Sequence, residues 1–164
     1  MQDILTCAMG LDVHRDIIVA CLVKGAVDAE PEAETRTFST LIPEMQKLRD
    51  WVIESECRNI AMESTGIYWQ PIYEMLESCF DGEISILVVN ARHMKNVPGR
   101  KTDMKDAQWI ATLLRAGLLK GSFIPDKAFR ELRHLTRYRK SVVHDITAVS
   151  YTHLRAHETR GNLV

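Results

Sequence analysis

Four acidic residues, Asp12, Glu63, Asp103 and Asp106, stand where carboxylates could do chemistry. Asp12 ends a run of apolar and small residues, Leu5 to Leu11. A carboxylate there is costly to bury unless it is paired or bound to metal. Glu63 closes the short run Asn59-Ile-Ala-Met-Glu63, just before the break Ser64-Thr65-Gly66. Asp103 and Asp106 are three residues apart at the start of a helical pattern, which puts them about 60° apart around the axis, on one face. Oxygen donors of this kind suit magnesium, a hard cation that takes a few carboxylates, water and substrate phosphate in octahedral geometry. Manganese is the alternative ion. Two such ions about 4 Å apart activate an attacking oxygen and stabilise a leaving one in phosphoryl transfer. Each acid alone has a plainer explanation: Asp12 as a hairpin residue, Glu63 as a surface acid, Asp103 as a helix cap answered by Asp106. Together, and beside a basic segment, they favour a metal site.

That segment is visible in the charge distribution. The net charge of −1 is the sum of two opposed regions. Residues 1–89 carry 16 acidic and 6 basic side chains, whereas residues 90–140 carry 13 basic and 4 acidic ones. The loop from Arg92 to Lys101 precedes Asp103 directly, and Arg92, Lys95, Arg100, Lys101 and Lys105 are candidates for neutralising phosphates, Lys101 foremost. Arg133, Arg137, Arg139 and Lys140 continue the basic character into a long helix. Tyr68 and Trp69, beside the Gly66 break, could stack on a base or pack the helix start. His14 could support Asp12 or simply serve its hairpin.

The elements that must position these residues follow from periodicity. Residues 5–12 and 16–23 read as strands joined at Val13-His14-Arg15, and Thr35 to Thr40 alternates as a third strand. A helix is expected from Ile42 to Ser55, with Pro43 in its first turn and Met45, Leu48, Trp51 and Val52 as its buried stripe. Asn59 to Glu63 is a strand, Tyr68 to Cys79 a helix, and Ile84 to Asn90 a strand buried on both faces. A helix from Asp103 to Leu118 and a basic helix from Lys127 onward complete the order. Three leading strands followed by alternating helices and strands imply an α/β fold with a mixed five-stranded sheet flanked by helices, in the ribonuclease-H-like order. Cys7, Cys21, Cys57 and Cys79 are too scattered for a zinc site or disulfide framework and read as reduced thiols. No apolar run is long enough for a membrane span, and no signal peptide is recognisable, so the expected location is the cytoplasm.

At these residues the chain resembles the IS110-family transposases, in their N-terminal RuvC-like domain. The matching segments are Gly10-Leu-Asp-Val-His14, Met62-Glu-Ser-Thr-Gly-Ile-Tyr-Trp69, Val89-Asn90 and Lys101-Thr-Asp-Met-Lys-Asp-Ala107, with Leu132-Arg133 and Tyr138-Arg-Lys140 beyond them. The resemblance covers residues 5–148. It implies that Asp12, Glu63, Asp103 and Asp106 are a catalytic, magnesium-binding Asp-Glu-Asp-Asp set acting on DNA. It also implies a homo-oligomer, a structured noncoding guide RNA, and a C-terminal domain bearing a nucleophilic serine, which has no counterpart in these residues. Ser64 is not that nucleophile but a turn residue or phosphate contact.

The resulting division is a RuvC-like domain over 1–121, the start of a basic linker or coiled-coil helix over 122–148, and a non-native tail over 149–164. That last stretch leaves the family pattern and resembles a translated sequencing adapter, so its histidines are not read as ligands. The helix before it carries Leu132, Leu135, Val142 and Ile146 along one side, the pattern of an interhelical seam. The expected function is DNA strand cleavage and transfer in transposition, with the piece alone inactive. Two alternatives are a stand-alone RuvC-like structure-selective endonuclease and a non-catalytic nucleic-acid-binding fragment.

Overall fold

The first two strands pair because each carries β-branched and apolar residues on both faces of a short extended run. β1 (Cys7–Val13) and β2 (Ile17–Lys24) form an antiparallel hairpin, and β3 (Glu32–Ser39) pairs antiparallel with β2. β4 (Asn59–Glu63) returns parallel to β1, and β5 (Ser85–Val89) lies parallel to β4. The five-stranded sheet therefore has the order β3-β2-β1-β4-β5, the mixed sheet that the sequence implies. The computed structural model describes residues 4–64, 66–90 and 106–161.

Two strands differ from expectation. β3 begins at Glu32 rather than Thr35; its first six residues are all exposed, so no burial alternation marks its start. β5 is an edge strand, not an interior one, and only Val88 and Val89 are fully buried. Its far side is met by a bridge from Val89 to Gly121 and by the Ser122 N–H donating to the Val88 carbonyl at 2.7 Å. The strand buried on both faces is β1, at the centre of the sheet.

α1 (Ile42–Glu54) starts with Pro43 in its first turn and buries Met45, Leu48, Trp51 and Val52, the stripe the sequence predicts. Trp51 meets Phe38 of β3 with ring centroids 6.0 Å apart, and the Arg36 guanidinium lies 4.4 Å above the Trp51 ring. Sheet register puts Phe38 and Arg36 on the face shared by Ile18, Ala20, Met9, Leu11 and Val13. α1 therefore covers that face. α2 (Trp69–Phe80) buries Ile72 and Leu76 and ends at Asp81 in the left-handed conformation. α3 (Asp106–Arg115) covers the opposite face, where Ala107, Trp109, Ile110, Ala111 and Leu113 pack on Cys21, Val23, Ala61 and Val89.

The four cysteines are free thiols. Cys7 and Cys57 hydrogen-bond to each other; the contact pulls the Cys7 thiol down to about 7 and pushes that of Cys57 up.

The chain divides into two compact units, Met1–Ser122 and Phe123–Val164. The second is built on α4 (Lys127–Gly161). Asp126 caps it by accepting the Phe129 N–H at 3.1 Å, and the Arg130 guanidinium donates to the Pro125 carbonyl at 2.6 Å. Leu132, Leu135, Val142 and Ile146 are exposed along α4. Among the described residues no helix is long and apolar enough to cross a membrane.

Candidate metal centre

Side chains directly opposite one another on neighbouring strands point to the same face of a sheet. β1 and β4 pair in parallel through Met9–Ile60, Gly10–Ala61 and Leu11–Met62. One step further in the same register stand Asp12 and Glu63. Both are at the C-terminal ends of their strands, on one face, across an inter-strand spacing of about 4.8 Å. Asp12 is nearly buried, whereas Glu63 is half-buried, and Glu63 pairs on its other side with Val89 of β5.

The face that carries Asp12 and Glu63 is the one under α3. Gly10, one alternation before Asp12, lies directly against that helix: a Cβ there would run into the Ala107 carbonyl oxygen and the Ala111 nitrogen. The far end of α3 is fixed at the start of β1. There the Ile4 and Leu5 N–H groups donate to the Arg115 carbonyl at 2.8 and 3.1 Å. The buried Arg115 guanidinium returns hydrogen bonds to the carbonyls of Leu5 (2.9 Å), Gly25 (3.1 Å) and Ala26 (2.6 Å). α3 thus runs antiparallel to β1, and its first residue, Asp106, is at the end of the sheet where Asp12 and Glu63 stand.

Asp12 has a partner of its own. The His14 imidazole Nε2 donates to Asp12 Oδ2 at 3.0 Å, with the Asp12 side chain 13% exposed and that of His14 53% exposed. Beyond Glu63, the Ser64 N–H donates to the Val89 carbonyl at 2.9 Å, and Gly66 takes a left-handed φ of 58° that favours glycine. Tyr68 is exposed. Trp69 packs edge-on against Tyr73 within α2, at 5.8 Å.

The structure therefore brings Asp12 and Glu63 together and sets Asp106, which is exposed, at the same end of the sheet. Among the described residues no three His, Cys, Asp or Glu side chains are gathered into a group that could hold a metal ion. Asp103, Arg92, Lys95, Arg100, Lys101 and Lys105 lie outside the described residues. The carboxylates of Asp12 and Glu63 nonetheless fit a hard divalent cation, because magnesium is commonly held by only one or two carboxylates and completed by water and phosphate. Arg133, Arg137, Arg139 and Lys140 are exposed on α4, in the separate second unit.

Two contributions were not foreseen from the sequence. Gly10 matters through the close approach of α3, and a lone strand glycine is a weak signal for such contact. Arg115 holds the helix to β1 and to the Gly25-Ala26 turn, and nothing in Leu-Leu-Arg-Ala-Gly marks it as buried.

Among curated proteins none matches the chain. Among solved structures, RuvC of Thermus thermophilus is similar over 71% of this chain and 99% of its own, at 12% identity and a TM-score of 0.50. The T. thermophilus RuvC structure in complex with a Holliday junction substrate is similar over 72% of this chain and 100% of its own, again at 12% identity and a TM-score of 0.50. The fold is thus RuvC-like, and so ribonuclease-H-like, as expected from the order of elements. The model of the IS110 DEDD family, described as a transposase, matches residues 9–157, and so reaches into the stretch that the sequence sets apart as a tail. With nearly its whole length matched, the chain belongs to the IS110 DEDD transposase family.

Proposed function

We propose that this chain supplies the carboxylate site of a DNA transposase, with Asp12, Glu63, Asp103 and Asp106 holding divalent metal, magnesium or manganese, for strand cleavage and transfer. The observation that carries the proposal is the parallel register of β1 and β4, which sets Asp12 beside Glu63 on the face under α3. Asp12 and Glu63 form the fixed floor of the site because both belong to strands. Asp106 approaches from a helix start, where Asp103 precedes it by three residues. When bound, two ions would activate the attacking oxygen and stabilise the leaving one. The chain's own contribution is to gather the acids. The basic side chains from Arg92 to Lys105 would neutralise the approaching DNA backbone, and Arg133, Arg137, Arg139 and Lys140 on α4 would neutralise phosphates in their own right.

The complete reaction, in this proposal, needs more than these residues: a C-terminal domain with a serine nucleophile, a guide RNA, and a second copy of the chain. Residues 122–148 would begin the connecting helix.

Titration of magnesium and manganese into the chain and into Asp12→Asn and Asp103→Asn tests the site. Weaker binding in both variants is expected. Equal affinity in all three proteins would end the metal-site proposal, leaving a nucleic-acid-binding unit with inert acids.

A further inference from the structure

We propose that His14 is a positioning residue for the Asp12 carboxylate, a role that rests on Asp12 being a metal ligand. The two side chains are two residues apart along one strand direction and so project to the same side. Nε2 of His14 stands 3.0 Å from Oδ2 of Asp12. This bond engages one carboxylate oxygen and leaves the other, Oδ1, to face an ion.

What makes His14 more than a chance neighbour is the rigidity of its support. Its backbone N–H donates to the Ile17 carbonyl at 2.9 Å, closing the β1–β2 connection. The rest of that connection is tied to the end of β3. Thr40 Oγ1 donates to the Arg15 carbonyl at 3.0 Å, and the Thr40 N–H donates to the Asp16 carbonyl at 3.2 Å. The imidazole is therefore offered from a braced turn, while the carboxylate it holds is largely shielded from water. A shielded carboxylate has few competing donors, so one fixed N–H decides its rotation about the Cβ–Cγ bond. A ligand held at the required angle loses less freedom when the ion arrives, and partners of metal-ligating groups typically contribute about 10–100-fold in affinity.

The test is manganese affinity of the full chain without DNA, for the unaltered protein, His14→Ala, His14→Gln and Asp12→Asn, with thermal midpoints taken metal-free. Glutamine keeps an N–H donor at about the reach of Nε2. The expected result is a loss of about tenfold in His14→Ala, recovery of most of it in His14→Gln, and metal-free midpoints that do not follow this order. Asp12→Asn weakened with His14→Ala unchanged would overturn the positioning role and leave the carboxylate site standing. Asp12→Asn unchanged would remove the site itself. His14→Gln as weak as His14→Ala would overturn the hydrogen bond as the cause.

Discussion

Asp12 and Glu63 stand out in the sequence because a carboxylate at the end of an apolar strand run conflicts with its surroundings, and such a conflict points to a partner or a ligand. Gly10 could not be read in the same way. Its importance comes from the Ala107 carbonyl and the Ala111 nitrogen, far away along the chain, which leave no room for a Cβ. Backbone atoms of a helix cannot rotate aside as a flexible side chain can. Gly10→Ala is therefore expected to lower stability by about 3 kcal/mol, the upper end for overpacking. Its urea midpoint, compared with that of the unaltered chain, measures this; an unchanged midpoint would mean that α3 does not press on β1. Arg115 was equally hidden, since the three carbonyls it serves come from Leu5, Gly25 and Ala26, residues that only the fold brings together.

At the scale of elements, periodicity located α1 well because its buried stripe, Met45, Leu48, Trp51 and Val52, is unambiguous; α3 instead ends at Arg115 rather than at Leu118, which is exposed. Periodicity did less well with strands. The apolar run Ile84 to Val89 has the composition of an interior strand, yet β5 lies at the edge and depends on residues 121 and 122 to meet its outer side. Composition records how much apolar surface a strand has, not which neighbour covers it. α4 makes a prediction of its own. If its exposed Arg137, Arg139 and Lys140 neutralise DNA phosphates, replacing each with alanine should reduce the slope of log affinity against log salt by roughly one for every phosphate no longer neutralised, uniformly across DNA sequences. A slope unchanged in the triple variant would show that these side chains do not reach the DNA backbone.

Across the whole molecule, the order of elements was enough to anticipate the mixed sheet, because strand-helix alternation after an antiparallel meander leaves few arrangements open. The site was legible only in part. Sequence supplied four acids, whereas the pairing of two of them depends on the parallel register between β1 and β4, and the approach of the third on α3 running back along β1. Register and helix direction are set by packing between distant segments, so spacing along the chain does not encode them in a form that can be read residue by residue. The fold shows how two strand ends and a helix start place Asp12, Glu63 and Asp106 at one end of the sheet.

Acids remote in sequence must share one divalent ion if the chain works as proposed. Crystals of the chain grown with manganese and measured for anomalous scattering test this most directly. The predicted result is an anomalous peak bridging the carboxylates of Asp12 and Glu63, with Asp103 or Asp106 completing its protein ligands. Density showing Asp12 and Glu63 on opposite faces of the sheet, or manganese bound only elsewhere, would contradict it.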